Sequence, residues 1–189
     1  KSISTEDAVE ELYPQFLERL DEIKAIRSAY AKYKLQNAYV DFDDLLVLLL
    51  ALLKNPATRR RIQKRYDHLL VDEYQDTNAL QGQITLLLAE PHQNIMAVGD
   101  DAQAIYGWRG AKVGNILEFP KQFDDCQVIN LEENYRSTQA ILDTANAVLG
   151  EMRDAFSKTM RAAIGGAGEK PRLHVFEDAH HEAEYIADR

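Results

Sequence analysis

The sequence predicts an α/β protein: a parallel sheet flanked by helices, preceded by a helical subdomain. Short apolar runs ending in polar residues occur three times: "HLLVDE" (His68–Glu73), "NIMAVGDD" (Asn94–Asp101) and "CQVINLEEN" (Cys126–Asn134). A helix-like segment follows each, at Leu80–Ala89, Val113–Phe119 and Thr138–Leu149. Strand, polar turn and helix in succession is the pattern of a parallel sheet with crossover helices. Ahead of these runs the apolar residues recur every three or four positions, the period of a helix.

Ser4-Thr5-Glu6-Asp7 reads as a helix start, with Ser4 as the cap and acids in the first turn. Val9, Leu12, Phe16, Leu20, Ile23, Ile26, Tyr30 and Tyr33 then form one apolar stripe, broken or kinked near Pro14. Asp41 caps a second helix whose leucines point all round, which predicts burial on most sides. Asn55-Pro56 ends it, and a short basic helix follows. After the three strand–helix repeats, Gly165, Gly166 and Gly168 mark a loop and a domain boundary. "PRLHVFED" (Pro171–Asp178) reads as a new strand and "HHEAEYIADR" (His180–Arg189) as a helix. One strand and one helix cannot bury a core, so this second domain is expected to be truncated. The division is then 1–40, 41–164 and 165–189.

Composition limits the function classes. Of 189 residues, 46% are hydrophobic and 28% charged, values of a globular chain rather than a disordered one. The longest apolar run, "LLVLLLALL" (Leu45–Leu53), falls short of the roughly 18–20 residues of a membrane span, so no membrane partner is expected. The single Cys126 excludes an internal disulfide and a cysteine-rich metal site, and fits a reducing cytoplasm. A start at Lys1, without methionine or signal peptide, leads to the expectation of a piece of a longer protein. The formal net charge of −9 argues against a surface that coats nucleic acid as a whole, though not against a local groove. "RRRIQKR" (Arg59–Arg65) reads as a solvated helix face.

In parallel sheets, ligands bind beyond the carboxyl ends of the strands. Here those ends carry Asp72, Glu73, Asp100, Asp101, Gln103, Tyr135 and Arg136. Apolar residues followed by Asp-Glu at a strand end can hold magnesium against a nucleotide. The aspartate binds the ion, and the glutamate beside it orients and deprotonates a water. Alone that signal is weak, because acids after strands are common; the extension Gln75-Asp76-Thr77 strengthens it.

"VDEYQDTN" (Val71–Asn78), "VGDDAQAIYGWRGA" (Val98–Ala111) and "INLEENYRSTQAIL" (Ile129–Leu142) together resemble three successive motifs of the superfamily 1 DNA helicases of the UvrD/Rep/PcrA type. The resemblance is strong over Asp41–Leu149, moderate from Pro171 to the end, and limited to helical character before Asp41. It implies a RecA-like sheet, with 1–40 the end of a helical insertion, 41–164 the late part of a first RecA-like ATPase domain and 165–189 the start of a second. It implies Mg-ATP as the nucleotide, and single-stranded and duplex DNA as partners. By resemblance, Asp72 is the magnesium aspartate and Glu73 the catalytic base. Gln103 contacts the γ-phosphate, Tyr135 packs on the adenine, and Arg136 reaches the γ-phosphate. Tyr106 and Trp108 belong to a loop on which DNA bases stack.

One short turn would thus carry a phosphate sensor at Gln103 and a stacking platform at Trp108, five residues on. Stacking accepts any base, because every base has a π-face. The plain alternative is a pair of core aromatics beside a buried turn. For Arg136 the alternative is a surface salt bridge, with Ser137 as a helix cap. Ala102 departs from the third acid that many relatives carry there. His180 and His181 point to different helix faces and read as solvated surface.

No G-x-x-x-x-G-K-[ST] occurs anywhere in the chain. "GGAGEKPR" (Gly165–Arg172) fails the pattern, since Glu169 precedes Lys170 and Pro171 follows it. Without the amide cradle for phosphates, this chain alone is expected to be inactive. The expectation is a segment of an ATP-dependent helicase that couples Mg-ATP hydrolysis to translocation on single-stranded DNA and unwinding, with the 3′-to-5′ polarity the resemblance implies. The alternatives are the helicase part of a recombination helicase–nuclease and a non-catalytic scaffold that keeps the fold.

Overall fold

A computed structural model describes residues 4–153 and 155–189. The chain is α/β, with mixed helices and two small parallel sheets. It divides into two compact units, one of residues up to Tyr66 with Gln83–Leu88, the other of Asp67–Gly82 with Ala89–Arg189.

The first unit is helical, and local caps set its boundaries. Helix α1 (Thr5–Leu12) begins at a capping box: Ser4 Oγ accepts from the Asp7 amide, and Asp7 accepts from the Ser4 amide. The break expected near Pro14 is there, because proline opens a separate 3₁₀ turn over Pro14–Arg19. Helix α2 (Leu20–Asn37) follows and ends at Ala38, which turns left-handed at φ 53°. Asp41 caps α3 (Phe42–Lys54) in a second capping box with Asp44. Asn55 ends α3 and caps α4 (Pro56–Gln63), its Oδ1 accepting from the Ala57 and Thr58 amides.

The expected all-round burial of α3 is not found. Leu50 and Leu53 are buried, but Leu45, Val47, Leu48 and Leu52 stay about half exposed. A stripe suffices here because α3 packs chiefly along one side, against α4. In the basic helix α4, Arg60 and Arg61 are exposed and Arg59 is half-buried, while Gln63 is buried and donates to the Leu87 carbonyl at 2.6 Å.

In the second unit, β1 (Leu69–Val71) and β2 (Ile95–Ala97) pair in parallel, with Leu69 opposite Ile95 and Val71 opposite Ala97. Helix α5 (Ala79–Ala89), of which Gln83–Leu88 is counted with the first unit, is the crossover in sequence between them, as expected from the pattern. Helix α6 (Gly114–Glu118) follows β2, with Tyr74, Ile116 and Phe119 forming the buried cluster beside the sheet. Tyr74 meets Phe119 edge to face at 5.2 Å between ring centres.

The third apolar run does not join this sheet. Only its end, β3 (Glu133–Asn134), is a strand, and it pairs in parallel with β4 (Arg161–Ala162) beyond α7 (Gln139–Gly150). Residues 126–132 instead meet the returning chain through scattered bonds, such as Asn130 Nδ2 to the Ser157 carbonyl and the Thr159 amide to Glu132 Oε1. Pro171–Asp178 is likewise not a strand, since it has no ladder partner among the described residues. The final helix does form, as α8 (Ala179–Ala187) capped by Asp178.

Candidate functional site

β1 and β2 run side by side, so their carboxyl ends deliver Asp72–Glu73 and Asp100–Asp101 to one edge. Asp72 and Glu73 are exposed, and the Glu73 amide donates to Asp72 Oδ1 at 2.9 Å. Glu73 is left-handed, at φ 51° and ψ 43°. Non-glycine residues rarely adopt that region, and such backbone persists where the surroundings over-determine it. Here they do. Tyr74 is locked in the aromatic cluster, and its amide donates to the Val98 carbonyl at 2.9 Å.

Gln75 comes next and is 1% exposed. Its Nε2 donates to Glu73 Oε2 at 2.7 Å, and its Oε1 accepts from the Asp100 amide at 3.1 Å. Gly99 makes room for it: a Cβ there would collide with Gln75 Oε1 and meet Ile116 Cδ1 at 2.8 Å.

Asp100 caps a 3₁₀ turn over Asp101–Gln103, with Oδ1 accepting from the Ala102 amide and Oδ2 from Gln103 Nε2 at 2.8 Å. Lys158 arrives from the segment after α7 and bridges both aspartates, reaching Asp101 Oδ1 at 2.6 Å. The Phe156 amide donates to the other Asp101 oxygen at 3.1 Å. Burial works to raise the Asp100 carboxyl, but the hydrogen bonds from Lys158 and Gln103 outweigh it and lower its pKa. Burial likewise works to lower Lys158, and its two aspartate partners leave it raised.

Beyond Gln103 the chain emerges. Trp108 is 81% exposed and Tyr106 38%, their ring centres 6.4 Å apart. The Arg109 guanidinium lies 5.6 Å from the Tyr106 ring centre and 5.7 Å from that of Trp108. A core role does not fit so exposed a tryptophan. The chain then returns to the segment it left. Ala111 bridges Asn78, and the Lys112 amide donates to the Thr77 carbonyl at 2.9 Å. Asn115 Nδ2 lies 3.0 Å from the Thr77 carbonyl and 3.1 Å from that of Asn78. The turn is therefore fastened at both ends to residues 75–78, and only its aromatic arc is free of the frame.

Tyr135 and Arg136 follow β3, in the other sheet. Among the described residues no hydrogen bond or ion pair joins them to Asp72, Glu73 or Gln103. The Tyr135 hydroxyl donates to Glu133 at 2.9 Å, which raises its pKa. Ser137 is not the helix cap. Asn134 Oδ1 takes the Arg136 and Ser137 amides instead, and Thr138 occupies the cap position. His180 and His181 are exposed and pair with Glu184 and Asp178 respectively.

The paired carboxylates offer hard oxygen donors of the kind magnesium takes, one or two at a time, beside phosphate oxygens and water. No cluster of three or more histidine, cysteine or acidic residues able to hold a metal occurs among the described residues. No helix among the described residues is long and apolar enough to cross a membrane.

Comparison with known proteins then decides the family. Residues 3–124 match the family model of the UvrD/REP helicase N-terminal domain, and residues 129–189 that of the UvrD-like helicase C-terminal domain. The chain belongs to the UvrD/Rep helicase family. Over 165 residues, 87% of the chain, it is 44% identical to DNA helicase II of Rickettsia typhi and 40% identical to the ATP-dependent DNA helicase PcrA of Leuconostoc citreum. PcrA of Staphylococcus aureus is 37% identical over the same length. The match spans about a quarter of each relative's own length: 25%, 22% and 22%.

Within this UvrD/Rep chain, sequence reasoning missed Lys158 and Asn115. Lys158 stands 57 residues from Asp101, and nothing near it in the sequence marks it. Gln75 stood inside a quoted motif, but its double hydrogen bond only becomes visible once β1 and β2 are adjacent.

Proposed function

We propose that the chain works as part of an ATP-dependent DNA helicase, in which hydrolysis of Mg-ATP drives translocation along single-stranded DNA and unwinding of the duplex. The 3′-to-5′ polarity is the one the family resemblance implies. In this reading the chain joins the late part of one RecA-like ATPase domain, with helical insertion before it, to the start of a second. The observation that carries the reading is the doubly fastened turn, which puts the exposed Tyr106–Arg109 arc and the Glu73 segment on one hydrogen-bonded frame.

The residues then take these roles. Asp72 holds the magnesium ion, which when bound neutralises phosphate charge. Glu73 orients the attacking water and accepts its proton. Gln103, tied to Asp100, meets the γ-phosphate. Arg136 presents a cation to the transferring phosphoryl group, and Tyr135, with its exposed ring, packs on the adenine. Tyr106 and Trp108 stack on bases, so a change in nucleotide state at Gln103 reaches the DNA through one short turn.

Glu73→Gln tests the reading in the full-length gene product. The carboxamide keeps the size of the side chain and removes the base. DNA-stimulated phosphate release should fall by on the order of 10²–10⁴-fold, with Mg-ATP binding retained. Turnover near the wild-type rate would remove Glu73 from the reaction.

A further inference from the structure

Glu73 stands exposed at a strand end, where a flexible carboxylate would sample many directions. A general base needs one direction, because misplacement by about 1 Å can cost on the order of a hundredfold in rate. The side chain that limits it is Gln75. Its carboxamide is buried, and both ends are engaged: the nitrogen donates to Glu73 Oε2 and the oxygen accepts from the Asp100 amide. The Asp100 carboxylate in turn holds Gln103 and is held by Lys158. Gly99 leaves the space that this carboxamide fills.

We propose that Gln75 is a positioning residue for the reaction: it aims the Glu73 carboxylate and fixes that aim to the Asp100–Gln103 turn, which Lys158 fastens from the segment after α7. Gln75 touches neither substrate nor metal. It acts through Glu73, and the proposal rests on Glu73 being the base. Its chemistry suits the task, because a carboxamide can donate at one end and accept at the other, and it carries no charge into a buried place. A glutamate at position 75 could still accept from the Asp100 amide but could not donate to Glu73.

The test compares Gln75→Met, Gln75→Glu and Gly99→Ala in the full-length gene product. The measurements are kcat and KM for ATP with saturating single-stranded DNA, the unfolding midpoint, and hydrogen exchange at the Asp100 amide. Gln75→Met removes both bonds, and Gln75→Glu removes only the one to Glu73. Gly99→Ala displaces the carboxamide with every polar group intact. Each should lower kcat by on the order of tenfold to a hundredfold with KM for ATP little changed. Asp100 exchange should quicken in Gln75→Met but stay slow in Gln75→Glu. On a Glu73→Gln background, Gln75→Glu should cost nothing further, since there is no base left to aim. A wild-type kcat in folded Gln75 variants, or an equal loss on both backgrounds, would overturn the proposal while leaving Glu73 as the base. A wild-type kcat in Glu73→Gln would overturn both.

Discussion

Two lysines in this chain each bridge two aspartates, and they do different work. Lys34 reaches Asp41 at 2.7 Å and Asp44 at 2.6 Å, the two residues of the α3 capping box. Lys158 reaches Asp100 and Asp101 at the end of β2. The first cluster spans seven and ten residues of sequence and helps set where one helix begins. The second spans 57 and 58 residues and ties the segment after α7 to the turn that carries Gln103. Burial separates them further: the Asp101 side chain is 2% exposed, whereas Asp41 and Asp44 retain about a third of their surface. The same three-residue chemistry is a local cap in one place and a long-range fastening at the candidate site in the other.

The largest effect should come from breaking the buried cluster. Among the described residues, Lys158→Met leaves the Asp101 carboxylate with the Phe156 amide alone, nearly buried and without its cation. Removing one partner of a buried pair costs about 3–5 kcal/mol. Lys34→Met should shift the urea midpoint much less, because Asp41 keeps the Asp44 amide and the Tyr30 hydroxyl and stays partly in water. Equal midpoint shifts for the two variants would mean that the two clusters contribute alike to stability.

That distinction also explains what could be read from the sequence. Caps are local chemistry, so Ser4 and Asp41 were legible as caps, and Asn55-Pro56 as the end of α3, from the residues beside them, whereas at α7 the cap falls on Thr138 and not on Ser137. The strands at Leu69–Val71 and Ile95–Ala97 were legible because apolar runs with a helix between them have few other ways to pair. Residues 126–132 and 171–178 look equally apolar, yet a run becomes a strand only with a partner, and neither has one among the described residues. The carboxylates, Gln103 and the aromatic arc could be named from their motifs. Lys158 and Asn115 could not, because their roles exist only after distant segments meet.

The turn that Lys158 helps to hold also has a free end. Gln103 is bonded into the frame, while Trp108 projects into solvent. Trp108→Ala should therefore change stability by no more than about 0.5 kcal/mol, as for an ordinary surface substitution. Its effect should appear in binding instead. Loss of one stacked base weakens single-strand affinity by roughly 1–3 kcal/mol, about one to two decades, with little dependence on base sequence. Trp108 is the only tryptophan in this chain, so in a full-length gene product with any other tryptophans replaced, quenching of its emission by a short oligonucleotide would report the proposed contact. Unchanged emission and unchanged affinity would remove Trp108 from the DNA surface.

The smallest effect separates the two clusters by pH. Hydrogen bonding from Lys34 and the Asp44 amide lowers the Asp41 carboxyl from 3.8 to about 2. A depressed folded-state pKa contributes stability that is present above the unfolded value and lost as pH falls through the folded one. The α3 cap should thus hold its full contribution above about pH 4 and lose it progressively toward pH 2. Asp41→Asn isolates this term, because asparagine caps a helix about as well as aspartate but does not titrate in that range. Wild type should be the more stable of the two near pH 6, and the difference between their urea midpoints should shrink steadily as the pH is lowered through that window. The Asp100 carboxyl is also depressed, so wild type and Asp41→Asn alike should lose the contribution of Asp100 in acid. That shared loss cancels in the difference, which leaves the contribution of Asp41 alone. A midpoint difference that stays constant between about pH 6 and pH 3 would mean that Lys34 holds Asp41 no more tightly when folded than when unfolded.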